Sequence, residues 1–252
     1  MWQTDCLSEV RNPMRQYRAV IFDMDGVIVD SEPIHERAFL EVFAEMGYAD
    51  NHGMDFPAYY GRSDRALWED FVAKHHPPYP FEQLVEWKQT KLIELLRRER
   101  PIFPDVPRLL AELEPHYAIA LASGSSHNVI REVLALGGLA RFFKAVVSIQ
   151  DVGRSKPAPD VFLRAASLLG MTPSDCVVVE DSIVGVQAGR AAGMDVIAIT
   201  NSVPRERLGE ATHVVDDYHQ IAALLLPEGK RSRPRPRQAA LACQSNCKGA
   251  SA

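Results

Sequence analysis

The sequence predicts an α/β protein built on a doubly wound parallel sheet, with an α-helical cap inserted after the first strand. Short apolar runs alternate with helix-like segments along most of the chain, as is typical of parallel sheets. Polar residues directly follow several of these runs, at the edge where open parallel sheets place ligands. Residues 31–100 instead show helical periodicity and no useful strand-like run, so we expect them to form a helical insert.

The first strand is predicted at Ala19–Phe22, and Asp23 and Asp25 follow it at once. Alternate side chains of an extended chain point the same way, and Gly26 then allows a tight turn. Two carboxylates at the end of a buried strand repel each other and are costly to desolvate, which indicates a bound cation or a chemical task. A solvated strand-end turn explains the same short motif equally well, so this motif does not decide by itself.

Three later predicted strands are each followed by polar residues. Strand 118–122 is followed by Ser123-Gly124-Ser125, strand 145–149 by the turn that leads to Lys156, and strand 176–179 by Glu180-Asp181. Strands at 196–199 and 213–215 complete the predicted sheet. Carboxylates, hydroxyls on a glycine-containing turn and a lysine together predict a site for Mg²⁺ and a phosphoryl group.

The inserted segment is predicted to contain three helices, ending near residues 46, 74 and 98, with proline-rich crossings at both of its ends. We therefore divide the chain into four parts, which are an extension (1–16), an α/β core (17–32 and 104–228), a helical cap (33–103) and a basic tail (229–252). The composition of the tail is typical of a solvated, disordered segment, and docking on an anionic partner is the alternative.

Composition narrows the class of protein. The chain has 252 residues, 46% of them hydrophobic, which is enough for a sizeable core. No apolar stretch is long enough to span a membrane, residues 1–17 do not resemble a signal peptide, and the four cysteines are scattered, so we expect a reduced, cytoplasmic protein. Residues 229–252 carry six basic residues and no acid, so the rest has 22 basic and 33 acidic residues, a net charge of −11. An acidic body argues against a nucleic-acid partner.

Four motifs in order together resemble the haloacid dehalogenase superfamily, and specifically its β-phosphoglucomutase-like, sugar-phosphate phosphatase branch. They are Asp23-Met24-Asp25-Gly26-Val27, Ser123, Lys156-Pro157 and Glu180-Asp181. The resemblance spans about residues 17–225. It implies a Rossmann-like core with a helical cap, and a Mg²⁺-dependent phosphatase that acts on a small phosphorylated sugar or related metabolite through an aspartyl phosphate.

The resemblance also implies roles for the core residues. Asp23 would be the nucleophile and Asp25 the general acid and base, while Lys156 would neutralise phosphate charge. Ser123, with the amides of Gly124 and Ser125, would hold phosphate oxygens. Asp23, Asp181 and the backbone carbonyl of Asp25 would ligate Mg²⁺, and Glu180 would do so directly or through water. An acid at position 25 favours phosphate esters over carbon–halogen or phosphonate bonds as substrates.

The cap is expected to choose the substrate. The resemblance assigns His35 to a hinge position, Lys88 to a cap lysine, and Arg62 or Arg65 to a substrate-specificity loop, whereas ordinary solvated side chains are the alternative. The arginine of that loop is out of register with the pattern of the mutases. A sugar phosphomutase therefore remains the second candidate function, and a non-catalytic binding or regulatory protein on the same scaffold is the third. The sequence does not decide between a monomer and a homo-oligomer.

Overall fold

The structure is a computed structural model that describes residues 17–59 and 64–226. Within these residues six parallel strands form one sheet, in the order β3-β2-β1-β4-β5-β6. The strands are β1 (Ala19–Phe22), β2 (Ala118–Ala122), β3 (Ala145–Val147), β4 (Cys176–Glu180), β5 (Asp195–Ile199) and β6 (His213–Val215). The predicted fold class, a doubly wound parallel α/β sheet, is confirmed.

The described residues also contain eight α-helices. They are α1 (Glu32–Glu45), α2 (Asp64–His75), α3 (Phe81–Glu99), α4 (Val106–Leu113), α5 (His127–Gly137), α6 (Asp160–Leu169), α7 (Ile183–Ala191) and α8 (Tyr218–Leu225). The third strand is shorter than the predicted 145–149, because Ser148 caps a short 3₁₀ turn at Ile149–Asp151. The Ser148 hydroxyl accepts the Gln150 amide there, which satisfies a donor that the ladder would otherwise pair.

Helices cover both faces of the sheet, so its central strands are apolar on both sides. Val20 and Phe22 of β1 face one layer, which includes Leu110 of α4 and Ile221 of α8. Ile21 and other strand residues face the opposite layer, which contains α6 and α7. Chain connections leave β1 and β4 in opposite directions, so the topological switch point lies between these two strands, and ligands bind outside the carboxyl ends of strands at such points.

The inserted segment has a core of its own. Helices α1, α2 and α3 bury an aromatic cluster in which the rings of Phe43 and Phe71 stack with their centroids 4.3 Å apart, beside Trp68. Other residues of α1 and α3, including Ile34 and Leu92, pack into the main core. Residues of α1, α2 and α3 also line a cavity together with residues that follow the strands, so the insert lies at the carboxyl edge of the sheet. The boundaries at residues 33 and 103 remain predictions.

Several expectations from the sequence fall on residues that the structure does not describe. The extension 1–16, the loop residue Arg62 and the basic tail 229–252 all lie outside the described ranges. Of the helices between residues 17 and 226 that are described, none is long and apolar enough to cross a bilayer.

Candidate active site

A cavity of about 480 Å³ lies between the carboxyl edge of the sheet and the helices of the insert. Its floor includes Asp23, Asp25, Lys156 and Asp181, and its roof comes from the insert. The neighbouring strands are in register so that Phe22 of β1 pairs with Val179 of β4, which sets the acids that follow each strand side by side. The cavity therefore opens at the switch point of the sheet.

Asp23 and Glu180 share one ammonium group. Lys156 Nζ lies 2.7 Å from Asp23 Oδ1 and 2.6 Å from Glu180 Oε1. The second oxygen of Glu180 accepts the amides of Asp181 and Ser182, each at 2.7 Å, and the Ser182 hydroxyl at 3.0 Å. Four donors therefore engage the Glu180 carboxylate.

Three buried carboxylates in this floor could hold a metal ion. Asp23, Glu180 and Asp181 each offer an oxygen, and these oxygens lie within 4.8 Å of one another. Burial raises the pKa of Asp23 to about 8, with Glu180 adding to the rise and Lys156 opposing it. Burial and the neighbouring acids also raise the pKa of Asp181. One lysine does not balance three acids, and all-oxygen ligands suit Mg²⁺, so this donor set fits the cation that the sequence predicts.

Asp25 is held by hydroxyls from two sides. Ser31 donates to its Oδ1 at 2.7 Å, while Ser125 and Ser123 donate to its Oδ2 at 2.9 and 3.3 Å. His35 Nε2 lies 3.5 Å from Oδ1. Burial raises the pKa of Asp25, but these neighbours, led by His35, outweigh it and lower the pKa to about 2. In this arrangement Asp25 is ionised and fixed, and it faces the same cavity as Asp23.

The turn after β1 needs a glycine for two reasons. Gly26 has a φ of +73°, in the left-handed region, and a Cβ atom there would stand 1.8 Å from Asp181 Oδ2. Gly185, in the first turn of α7, is equally confined, since its Cβ would lie 1.6 Å from Glu180 Oε1. Both glycines therefore let backbone approach the acidic group closely.

The turn after β2 presents hydroxyls and amides to the cavity. The Ser123 hydroxyl is fully buried and accepts the Ser125 amide at 2.9 Å. Ser148 fixes the turn from β3, because its hydroxyl donates to the Ser125 carbonyl at 2.7 Å. Gly124 also lines the cavity, and α5 begins just after this turn at His127. Backbone amides at a helix start are suited to anions, as the sequence predicts.

Two of the predicted cap residues meet in the roof. Lys88 is completely buried, and its Nζ lies 2.6 Å from Asp64 Oδ2 and 2.7 Å from His35 Nδ1. Burial raises the pKa of Asp64, but the charges and hydrogen bonds of Lys88 and His35 together outweigh it and hold this pKa well below the usual range. Arg65 lines the cavity too, although its Nε is engaged by Glu69 Oε1 at 2.8 Å.

Several residues of this site were given no role of their own from the sequence. They are Ser31 and Asp64, the cavity-lining Ser126, and the pair Asn201 and Ser202 after β5. The Ser126 hydroxyl is buried without a hydrogen-bond partner, and Ser202 donates to Asp181. The rule that polar residues follow strand ends would have found the pair after β5, and Ser126 is adjacent to the serine motif. Nothing in the sequence singled out Ser31.

The fold and the site together define a doubly wound α/β protein whose site is built on buried acids at the carboxyl edge of the sheet. A family model described as haloacid dehalogenase-like hydrolase matches residues 17–193. The chain belongs to this family.

Curated relatives include two phosphatases of Escherichia coli (strain K12). Hexitol phosphatase B is 35% identical over 187 residues, which cover 73% of this chain and 84% of that protein. Fructose-1-phosphate phosphatase YqaB is 32% identical over 187 residues, covering 73% of this chain and 97% of that protein.

Solved structures show the same architecture. CbbY from Rhodobacter sphaeroides, in complex with phosphate, superimposes with a TM-score of 0.75 at 23% identity and covers 83% of this chain and 99% of its own, a likeness that shows the fold alone. A β-phosphoglucomutase from Clostridium difficile gives a TM-score of 0.70 at 25% identity, over 81% of this chain and 93% of that one.

Proposed function

We propose that the protein is a Mg²⁺-dependent phosphatase that hydrolyses a small phosphorylated sugar or polyol through an aspartyl phosphate on Asp23. The observation that carries this proposal is the shared ion pair of Lys156 with Asp23 and Glu180, beside Asp181 and at the bottom of the cavity under the insert. Phosphoryl transfer depends on positioning and on charge neutralisation, and these groups supply both. The names of the two Escherichia coli relatives support the choice of substrate class.

The first half of the reaction would form the phosphoenzyme. The Asp23 carboxylate attacks phosphorus while the ester P–O bond breaks, and the leaving oxygen takes a proton from Asp25. Asp25 must be protonated for this step. A phosphate dianion bound beside it favours that form, because a neighbouring negative charge raises the pKa of a carboxyl group.

The second half would return the enzyme to its starting state. Water attacks phosphorus and releases inorganic phosphate and the Asp23 carboxylate, while Asp25 accepts the proton of the water. The three hydroxyls on Asp25 hold it for both transfers. Ser123 and the amides after it would hold the phosphate oxygens, and Lys156 would offset their charge.

Asp23, Asp181 and the backbone carbonyl of Asp25 would hold the metal, with Glu180 acting through water. A bound Mg²⁺ would polarise the phosphoryl group and screen the repulsion between the attacking carboxylate and the phosphate. Ser202, which donates to Asp181, would fix the orientation of that ligand.

A screen for phosphate release would test this function. The purified chain is offered hexitol phosphates, fructose 1-phosphate and p-nitrophenyl phosphate, with Mg²⁺ and with EDTA. We expect release from the sugar and polyol esters that requires Mg²⁺, and none from the Asp23→Asn variant. Release that persists in metal-free buffer, or that survives in Asp23→Asn, would contradict the mechanism.

The same screen separates the phosphatase from the mutase. It includes β-glucose 1-phosphate with a trace of the corresponding bisphosphate. A mutase would convert this substrate to glucose 6-phosphate with little free phosphate, whereas we expect inorganic phosphate as the main product. Absence of any turnover would favour the third candidate, a binding protein on the same scaffold.

A further inference from the structure

The roof of the cavity contains a buried lysine that an acid of the same roof engages. Lys88 on α3 contacts Asp64 Oδ2 at 2.6 Å and His35 Nδ1 at 2.7 Å, and its ammonium lies 4.7 Å from the centre of the Phe39 ring. The side chain has no exposed surface and does not line the cavity. Lys88 is therefore not available to a substrate in this arrangement.

Asp64, the acid that pairs with Lys88, faces the cavity instead. The Asp64 side chain is 30% exposed and lines the cavity, as do Glu32 and Glu36 of α1. Arg65 is the one arginine among the described lining residues, and it is directed along α2 toward Glu69, with its side chain 64% exposed. The described part of the roof thus presents carboxylates together with two basic side chains that acids already engage, Arg65 and His35, and His35 Nδ1 lies 3.3 Å from Asp64 Oδ1.

The remaining roof surface is largely apolar. Phe39, Phe56, Leu67 and Val85 line the cavity there. Apolar walls suit the C–H surface of a carbon chain, and carboxylate oxygens accept hydrogen bonds from its hydroxyls. The same carboxylates repel a second anion, and repulsion is stronger in a cavity with little water than in bulk solvent.

We propose that Asp64 is a specificity-determining residue of this enzyme. By neutralising Lys88 and facing the cavity, it selects esters that carry one phosphate on a neutral, hydroxylated carbon chain, and it rejects esters with a second anionic group. This inference rests on the proposed phosphatase function. It adds the substrate class that the roof accepts and the residue that enforces the choice.

The test compares two substrates that differ by one phosphate. Values of kcat/KM are measured for fructose 1-phosphate and fructose 1,6-bisphosphate, with p-nitrophenyl phosphate as an ester that lacks hydroxyls. The wild type should prefer the monophosphate. Asp64→Asn keeps the shape of the side chain but leaves Lys88 without its counter-charge, and it should lower this preference by about tenfold or more, since one repulsive charge is lost and one attractive charge is no longer offset.

A second variant tests the same inference if Asp64→Asn folds poorly. Lys88→Met removes the matched cation and leaves Asp64 facing the cavity, so the preference for the monophosphate should rise. Glu86→Gln is the control, because Glu86 is an exposed acid on the same helix as Lys88 and does not line the cavity. This control should leave the ratio unchanged.

Opposite shifts in the two variants would support the inference. An unchanged ratio in both active variants, or a wild type that prefers the bisphosphate, would overturn it while leaving the phosphatase function intact. No phosphate release from any of the three esters would overturn the proposed function, and this inference with it.

Discussion

Lys156 Nζ lies within 2.7 Å of Asp23 Oδ1, and both side chains are only 7% exposed. The two residues are 133 positions apart in the sequence, and the parallel packing of the sheet brings their loops together. The same ammonium group also contacts Glu180, and Asp181 is a third buried acid beside them. One ammonium does not balance three acids in their charged form, and this shortage contributes to the raised pKa values of Asp23 and Asp181, which is why we expect the floor to bind a divalent cation.

The first prediction concerns stability without metal. Lys156→Met should lower the free energy of unfolding by about 3–5 kcal/mol in metal-free buffer, the usual cost of leaving a buried charge without its partner. Adding Mg²⁺ should recover part of this loss, since a ligand that binds only the native state stabilises it. Urea unfolding with and without Mg²⁺ measures both effects.

The control for this prediction is Lys144→Met, which removes an exposed lysine near the opposite edge of the sheet. It should unfold like the wild type. If Lys156→Met also unfolded like the wild type, and Mg²⁺ changed neither, the account of a charge-deficient floor would be wrong.

The second prediction distinguishes two effects of a side chain at the turn after β1, which are backbone strain at a positive φ and a steric clash with Asp181. Gly26→Ala should destabilise the fold and abolish the stabilisation by Mg²⁺, because its Cβ would stand 1.8 Å from Asp181 Oδ2. Gly193→Ala is the matched control, since Gly193 has a φ of +75° but nothing within 4 Å of its Cβ position.

Thermal melting with and without Mg²⁺ compares the two variants. Gly193→Ala should show only the modest cost of the left-handed backbone, on the order of 1 kcal/mol, and should keep its response to Mg²⁺. Equal losses in both variants would mean that the approach of Gly26 to Asp181 is unimportant.

Most of the fold could be predicted from the sequence, because the determining signals are local. Apolar runs such as Ala118–Ala122 are buried strands, and the helical periodicity after Pro33 corresponds to α1, which belongs to the insert. The third strand was predicted two residues too long. Ile149 has the same β propensity as Val146 and Val147 and so extends the predicted strand, but Ser148 caps a 3₁₀ turn there and ends it.

The third prediction concerns a hydroxyl that the sequence analysis missed. Ser126 lines the cavity and its buried Oγ has no hydrogen-bond partner, so a rotation of this side chain would let the hydroxyl donate to a substrate phosphate without breaking a protein hydrogen bond. Ser126→Ala should leave the melting temperature unchanged or slightly higher, because an unsatisfied buried polar atom is removed. It should also raise KM for the sugar phosphate.

Steady-state kinetics and thermal melting on the same preparation check this prediction. A lower melting temperature with an unchanged KM would show that Ser126 serves the fold rather than the substrate. Ser174→Ala, in the turn before β4 and away from the cavity, provides the control, which should leave KM unchanged.

The floor of the site was more predictable than its roof, for a physical reason. Asp23 and Lys156 follow strands of a sheet whose geometry fixes where strand ends meet. The roof depends on how helices of the insert pack, and sequence spacing alone does not reveal that Asp64 reaches Lys88. A charged pair on two helices has the same sequence pattern whether it is buried or solvated.

The most direct test of the central claim is to trap the phosphoenzyme. The enzyme is mixed with labelled fructose 1-phosphate and Mg²⁺, quenched in acid within a single turnover, and digested for mass spectrometry. The account predicts one phosphoryl group on the peptide that contains Asp23, and no label in Asp23→Asn. Label on any other residue, or full turnover with no phosphoenzyme at any quench time, would contradict Asp23 as the nucleophile.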